Sequence, residues 1–127
     1  MTWLWDTHAL IWAMEDDPHL PAVVRTLASR RGENAVCGIS LWEVACLVDK
    51  KRIKLSIPLT DWMDKVVARL PVLNITGNIA AKSYALGKFH GDPADRIIVA
   101  TAIVHKLTII TKDEKISKHP GVKTIWD

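Results

Sequence analysis

Four acidic residues stand where a divalent cation could be bound: Asp6, Glu43, Asp95 and Asp113. Two of them follow short apolar runs, and the other two lie near the starts of helical patterns. Brought together, four carboxylates repel one another, and each becomes harder to ionise. A hard divalent cation relieves that repulsion, and oxygen ligands without nearby Cys or His favour Mg²⁺ or Mn²⁺ over zinc. The sequence therefore predicts a magnesium or manganese centre if the fold gathers these acids.

The same acids also have structural interpretations. Ser40 and Glu43 have the spacing of a capping box, in which the glutamate caps the helix that it begins. Asp95 lies near a helix N-terminus, where the helix dipole favours an acid whether or not it binds a ligand. Both interpretations stay open for Glu43 and Asp95. The functional interpretation is favoured for Asp6, because this residue directly follows a predicted strand.

Short apolar runs and helical patterns alternate along the chain. Strands are predicted at residues 2–5, 35–37, 72–75, 108–110 and 122–125. Helices are predicted near residues 41–49, 59–70 and 78–86, with a first helix after Asp6 and another beginning at Pro93. This order predicts an α/β fold, a three-layer α/β/α sandwich with a central parallel sheet.

The expected position of the acids follows from the geometry of such a sheet. Residues just past the carboxyl ends of parallel strands meet in a crevice where the strand order reverses. Asp6 follows the first strand and Asp113 follows the fourth, while Glu43 and Asp95 are expected in the first turns of helices. All four side chains are therefore expected at the same end of the sheet.

Length and composition indicate one soluble domain that spans residues 1–127. Of these residues 49% are apolar, which is enough for a single buried core. The formal charge of +3 permits nucleic-acid binding without requiring it, because binding needs a concentrated basic face. Cys37 and Cys46 form no CxxC motif, and Asp6 interrupts the first apolar stretch. We therefore expect a cytoplasmic protein without a zinc site, signal peptide or membrane span.

Four sequence blocks contain the acids, and together they resemble the signature of a known family. The blocks read LWDTHALIW (4–12), SLWEVA (40–45), DPADRIIVA (92–100) and ITKD (110–113), and the chain closes with PGVKTIW (120–126). In this order they resemble the PIN-domain VapC toxins of bacterial toxin–antitoxin pairs, over nearly the whole chain. One block alone would be weak, whereas four in order make the resemblance specific.

The resemblance implies an α/β/α sandwich and a ribonuclease. It implies that Asp6, Glu43, Asp95 and Asp113 form an acidic quartet that binds Mg²⁺ or Mn²⁺ and carries catalysis. It further implies an endoribonuclease toxin that hydrolyses RNA phosphodiester bonds with water. The partners that it implies are a VapB-type antitoxin protein and a second copy of the chain in a homodimer.

Two residues beside Asp95 are candidates for supporting roles. Asp92 can cap the helix or point into the same cleft, and the proline that follows it favours the cap. Arg96 can hold a substrate phosphate or pair with an acid.

The surroundings of Asp113 also allow more than one role. Asp113 can bind the metal directly or through water, with Thr111 orienting it. Alternatively, Thr111 and Glu114 have capping-box spacing, which would leave Asp113 without a role.

Six tryptophans are many for this length, and most fall in apolar patterns that predict core packing. Trp12 and Trp42 are exceptions, because their helices are expected to flank the acidic cleft and to offer a groove for an antitoxin helix. The basic run KKRIK (50–54) is interpreted as a solvated helix end, with an RNA-backbone role as the alternative.

Other functions compete with a metal-dependent nuclease. A catalytically silent PIN-like module for RNA binding or regulation would keep the acidic pocket, but four intact acids argue against it. A phosphotransfer protein of receiver or phosphatase type needs a second acid after the first strand, which the tripeptide DTH (6–8) lacks. A metal-free ribonuclease needs a histidine acid–base pair. No convincing pair is found among His8, His90, His105 and His119.

Overall fold

The computed structural model describes residues 1–89 and 91–127, which form five strands and seven helices. The strands are β1 (Trp3–Trp5), β2 (Asn34–Cys37), β3 (Val72–Leu73), β4 (Thr108–Ile110) and β5 (Thr124–Ile125). The helices are α1 (Thr7–Met14), α2 (Ala22–Ala28), α3 (Gly38–Asp49), α4 (Leu59–Arg69), α5 (Gly77–Tyr84), α6 (Pro93–His105) and α7 (Glu114–Ser117). Within these ranges no helix has the length and apolarity needed to cross a membrane.

The five described strands run parallel in one sheet with the order β3-β2-β1-β4-β5. β1 lies at the centre, with Leu4 opposite Ala35 of β2 and Ile109 of β4. The chain order reverses on either side of β1, so a crevice is expected at the carboxyl end of this strand. The predicted α/β fold with a central parallel sheet is confirmed.

Both faces of the sheet are buried under helices. Trp5 and Val36 pack into the core that residues of α1, α2 and α4 complete. Leu4 and Ala35 pack into the opposite core, which residues of α6 complete. Because both faces are buried, the central strands consist of continuous apolar runs, as parallel strands usually do. The sandwich therefore has the three layers that the sequence predicts.

Helix α3 begins earlier than predicted. β2 ends at Cys37 and the helix starts at Gly38, so no loop separates them. Ile39 and Val44 pack against the two opposite cores, which favours helix from the first turn onward. Ser40 consequently lies inside the helix and is not its N-cap. The predicted capping box between Ser40 and Glu43 is therefore wrong.

Two other features differ from the sequence predictions. Helix α2 has no predicted counterpart, because it is short and buries only Val24 and Leu27, too few positions for a periodic pattern. The edge strands β3 and β5 are shorter than predicted, since each pairs with a neighbour on one side only.

Asn34 fastens the amino end of the sheet to α2. Its buried side chain accepts a hydrogen bond from the Trp5 indole and donates to the carbonyl oxygens of Leu27 and Arg30, each at 2.9 Å.

We expect Asn34→Ala to lower the free energy of unfolding by about 3 kcal/mol, because it leaves these groups without their partner. Asn78→Ala, at an exposed position of α5, should change it by less than about 0.5 kcal/mol. Equal urea midpoints for both variants would contradict this account.

Candidate metal centre

Asp6 is buried at the junction of β1 and α1, with 6% of its surface exposed. It is the N-cap of α1, and its Oδ1 accepts a hydrogen bond of 2.7 Å from the Thr7 N–H. Its Oδ2 accepts a second bond of 2.7 Å from the Thr111 hydroxyl. Because both oxygens are held, the carboxylate has one fixed orientation at the carboxyl end of the central strand.

Glu43 lies in the second turn of α3, not in the first turn as predicted. The hydroxyl of Thr7 donates a hydrogen bond to Glu43 Oε1. The side chain of Glu43 therefore reaches across to the start of α1 and does not cap its own helix. Thr7 was not among the residues predicted for the site. Its position directly after Asp6, the first predicted ligand, is the feature of the sequence that could have indicated it.

Asp95 lies in the first turn of α6, as predicted. The N-cap of this helix is Asp92, whose Oδ1 accepts a hydrogen bond of 3.2 Å from the Asp95 N–H. Pro93 occupies the first turn beside it. The predicted capping role of Asp92 is confirmed, while a supporting role in the cleft stays a prediction.

Asp113 is the N-cap of α7, and its Oδ1 accepts a hydrogen bond of 2.8 Å from the Lys115 N–H. The alternative capping box between Thr111 and Glu114 is therefore wrong, because Glu114 is the first residue of the helix. Thr111 Oγ1 instead accepts a bond of 3.0 Å from the Asp113 N–H while it donates to Asp6. Thr111 thus connects the segment of Asp113 to the buried carboxylate of Asp6.

The acids act strongly on one another. Burial first, and then the negative charges of four neighbouring acids, raise the pKa of Asp95 to about 8. Those neighbours are Asp6, Asp92, Asp113 and Glu43. Burial is also the main reason why the pKa values of Asp6 and Glu43 are raised, against the opposing effect of their threonine hydrogen bonds. The structure thus brings the four predicted acids together, with Asp92 beside them.

Arg96 directs its charge away from these acids. Its guanidinium donates to the carbonyl oxygens of Ser83 at 3.0 Å and Phe89 at 2.9 Å, and it lies 5.9 Å from the centre of the Phe89 ring. It therefore ties α6 to the end of α5 and the segment that follows. These contacts favour a structural role, and the predicted hold on a substrate phosphate stays a prediction.

The site has the chemistry that suits a hard divalent cation. Its charged donors are carboxylate oxygens, and the pKa values of Asp6, Glu43 and Asp95 are raised first by burial and further by neighbouring acids. Within residues 1–89 and 91–127, no group of three or more His, Cys, Asp or Glu side chains is placed so that it could hold a metal ion. Mg²⁺ does not need three protein ligands, because it keeps several waters and is commonly held by one or two carboxylates. The residues present therefore fit a hydrated Mg²⁺ or Mn²⁺.

The two tryptophans proposed for a partner groove have different surroundings. Trp42, beside Glu43 on α3, is 65% exposed. Trp12 is partly buried, with its ring 5.5 Å from that of Trp126 and the Lys112 ammonium 5.5 Å from its own centre. Trp42 is thus the more accessible of the two.

The basic run after α3 lies beside an open groove of about 570 Å³. Lys51, Arg52 and Lys54 line this groove together with apolar residues that include Ile53 and Leu55. A role in contacting the RNA backbone stays a prediction.

Comparison with known proteins identifies the family. The PIN domain family matches residues 4–122, so the chain belongs to the PIN-domain family. The chain is 36% identical to Ribonuclease VapC22 of Mycobacterium tuberculosis over 128 residues, which cover 98% of each chain. The predicted resemblance to PIN-domain VapC toxins is confirmed.

Solved structures show the same fold. One is VapBC2 from Rickettsia felis bound to a promoter DNA fragment, with a TM-score of 0.75 and 20% identity over the whole of both chains. Another is DNA-bound VapBC from Salmonella typhimurium, with a TM-score of 0.76 and 18% identity over 98% of this chain and 97% of the other. A toxin–antitoxin complex from Klebsiella pneumoniae has a TM-score of 0.70 and 26% identity over 95% of each chain.

The raised pKa of Asp95 should make the metal-free protein less stable as pH rises. An aspartate in the unfolded chain titrates near pH 4, whereas Asp95 in the fold titrates near 8. Between these values the folded chain holds a proton that the unfolded chain has lost, so the free energy of unfolding falls with pH. We expect Asp95→Asn in EDTA to melt close to wild type near pH 5 and several degrees above it near pH 8.5.

The exposed Asp64 of α4 supplies the matched control. Asp64 is exposed and is not one of the four acids that raise the pKa of Asp95, so Asp64→Asn should follow the wild-type dependence of melting temperature on pH. Melting temperatures of wild type and Asp95→Asn that stay parallel from acid to alkaline pH would contradict the prediction.

Proposed function

We propose that this chain is a metal-dependent endoribonuclease and the toxin of a VapBC-type toxin–antitoxin pair. The observation that carries this proposal is the cluster of Asp6, Glu43, Asp95 and Asp113 at the carboxyl end of β1. The chain belongs to the PIN-domain family, and its similarity to Ribonuclease VapC22 supports RNA as the substrate. The reaction is hydrolysis of an RNA phosphodiester bond.

Asp6, Glu43 and Asp95 are the proposed ligands of Mg²⁺ or Mn²⁺, and Asp113 contributes directly or through water. A bound divalent cation offsets the charge of the phosphate and lowers the pKa of the attacking water. Asp95 must lose its proton to act as a charged ligand, and its pKa is raised to about 8. Metal binding should therefore release protons and strengthen as pH rises toward that value.

In this proposal the carboxylates of the site hold the cation in position and do not serve as proton donors or acceptors in the reaction. Asp6 accepts a hydrogen bond on each carboxylate oxygen, so it acts as a fixed anchor and not as a mobile base. In the reaction, the water oxygen forms a bond to phosphorus, the bond from phosphorus to O3′ breaks, and O3′ takes up a proton. The products are a 5′-phosphate and a free 3′-OH.

The histidines support this route over attack by the 2′-OH of the substrate, which needs an acid–base pair. His8 and His105 are exposed. The ring of His119 bonds the carbonyl oxygen of Leu86 at 3.1 Å and the N–H of Gly121 at 3.0 Å. His19 is exposed, and its ring contacts Asp17 at 2.8 Å. His90 lies outside the described residues. No acid–base pair forms among the four histidines that the structure describes.

Cleavage of single-stranded RNA tests this proposal. We expect the protein to cut RNA with Mg²⁺ or Mn²⁺, to stop in EDTA, and to resume when either ion is added back. Mass spectrometry of the fragments should find 5′-phosphate and 3′-OH ends. A 2′,3′-cyclic phosphate formed in EDTA would rule out the proposed chemistry.

Charge-removing variants assign the site in the same assay. Asp6→Asn and Asp95→Asn should each lower the cleavage rate about 100-fold or more and relieve growth arrest on expression, while the fold persists. Asp64→Asn on α4 is the matched control and should cleave at the wild-type rate. Folded variants of the two site acids with wild-type rates would sink the assignment. A folded wild type that binds RNA without cutting it would favour the silent module.

A VapB-type antitoxin is the proposed partner, and a homodimer is the proposed assembly. The structural neighbours from Rickettsia felis and Salmonella typhimurium are VapBC complexes. Trp42 precedes Glu43 on α3, and its exposed indole is the kind of side chain that anchors protein interfaces. We therefore place an apolar antitoxin helix beside Trp42, with the antitoxin covering the acidic cleft.

Trp42→Ala should weaken antitoxin binding about tenfold or more, because a tryptophan at the centre of an interface commonly contributes about 2 kcal/mol or more. Surface plasmon resonance with the cognate VapB-type protein measures this effect. Tyr84→Ala is the control, since Tyr84 is an aromatic residue on α5 that is 87% exposed. Equal losses for the two variants, or hydrogen-exchange protection confined to the face opposite Trp42, would contradict the placement.

A further inference from the structure

Thr7 donates hydrogen bonds to two acids of the candidate active site. It is the first residue of α1 and is only 1% exposed. Its backbone N–H holds Asp6 Oδ1, and its hydroxyl holds Glu43 Oε1. One buried residue thus connects the carboxylates of Asp6 and Glu43, which are 37 positions apart in the sequence.

Glu43 needs such a contact more than Asp6 does. Asp6 is fixed by two hydrogen bonds, from Thr7 and from Thr111, directly after a central strand. Glu43 lies on another helix, and a glutamate side chain turns about three bonds, so its carboxylate is not fixed by its backbone. The hydroxyl of Thr7 restricts this freedom by engaging one oxygen. The other oxygen, and further lone pairs, are left for a ligand.

We propose that Thr7 is a positioning residue, whose hydroxyl holds the carboxylate of Glu43 toward Asp6 so that both acids meet the same ligand. The proposal rests on the proposed function, because the ligand is the divalent cation of the nuclease. Residues that hydrogen-bond metal-ligating carboxylates commonly change metal affinity 10- to 100-fold when mutated. The Thr7 hydroxyl donates a hydrogen bond to the Glu43 carboxylate, just as the Thr111 hydroxyl donates one to the Asp6 carboxylate.

Two substitutions separate the hydroxyl from the shape of the side chain. Thr7→Val keeps the branched shape and removes the donor, while Thr7→Ser keeps the donor and removes a methyl group. Thr101→Val is the matched control, because Thr101 is also a buried helical threonine, with its hydroxyl bonded to the carbonyl oxygen of Ile97. The control measures the general cost of losing a buried threonine hydroxyl.

Mn²⁺ titration by calorimetry gives a readout that does not depend on catalysis. We expect Thr7→Val to bind Mn²⁺ about 10- to 100-fold more weakly, with Thr7→Ser and Thr101→Val staying within about threefold of wild type. In RNA cleavage at saturating Mn²⁺, Thr7→Val should lower kcat more than it changes KM. Adding Thr7→Val to Glu43→Gln should have little further effect, because the hydroxyl acts through Glu43.

Unchanged Mn²⁺ affinity and kcat in folded Thr7→Val would overturn the proposal. Equal losses in Thr7→Val and Thr101→Val would overturn it as well, since they would indicate general packing. Should Thr7→Val not fold, Thr7→Ala takes its place under the same criteria.

A metal-free measurement distinguishes failure of this proposal from failure of the proposed nuclease function. The ¹³C resonance of the Glu43 carboxyl group should shift in Thr7→Val and stay near its wild-type position in Thr7→Ser. If wild type neither binds Mn²⁺ nor cleaves RNA, the nuclease proposal fails, and a divalent cation is no longer the proposed ligand of Glu43. The resonance then still decides whether Thr7 holds Glu43, and an unshifted resonance in Thr7→Val means that it does not.

Discussion

Repulsion among carboxylates at the carboxyl end of β1 is the constraint on which the rest of the site depends. The strand order places β1 between β2 and β4, so residues that follow three neighbouring strands meet at one edge. Burial and mutual charge raise the pKa of Asp95 to about 8. The fold tolerates this arrangement because two packed cores stabilise it from both faces of the sheet. A divalent cation is the species that would turn this unfavourable cluster into a favourable one.

The neutral and positive groups around the cluster have different tasks. The hydroxyls of Thr7 and Thr111 hold individual carboxylates without cancelling their charge. Arg96 directly follows Asp95, yet its guanidinium bonds backbone carbonyl oxygens, and the pKa of Asp95 is raised instead of lowered. A positive charge fixed among the acids would compete with a metal ion. The hydrogen bonds of Arg96 hold its guanidinium at backbone carbonyl oxygens, so its positive charge does not neutralise the carboxylates of the cluster.

The parts of this molecule that local patterns determine could be predicted from the sequence. Strands buried on both faces give continuous apolar runs, such as residues 35–37, and Asp92 before Pro93 marks a helix start that the structure confirms. The capping box of Ser40 and Glu43 had the right spacing, but packing of Ile39 and Val44 decided where α3 begins. Asp6 and Asp95 could be singled out by position. The hydrogen bond from Thr7 to Glu43 could not be predicted from the sequence, because it joins two helices and leaves no local pattern. The roles of the acids stay predictions.

The pairing of the first strand with the fourth has a consequence for the protein during its synthesis. β1 hydrogen-bonds to β4, and the Asp6 carboxylate bonds the hydroxyl of Thr111, near the end of the chain. While the ribosome is still adding these last residues, one edge of β1 has no neighbour and Asp6 lacks one of its two donors. The cluster is complete only after the C-terminal segment has emerged and docked. A nascent chain without this segment therefore carries Asp6, Glu43 and Asp95 but lacks Asp113 and the hydroxyl of Thr111, so its acidic cluster is incomplete.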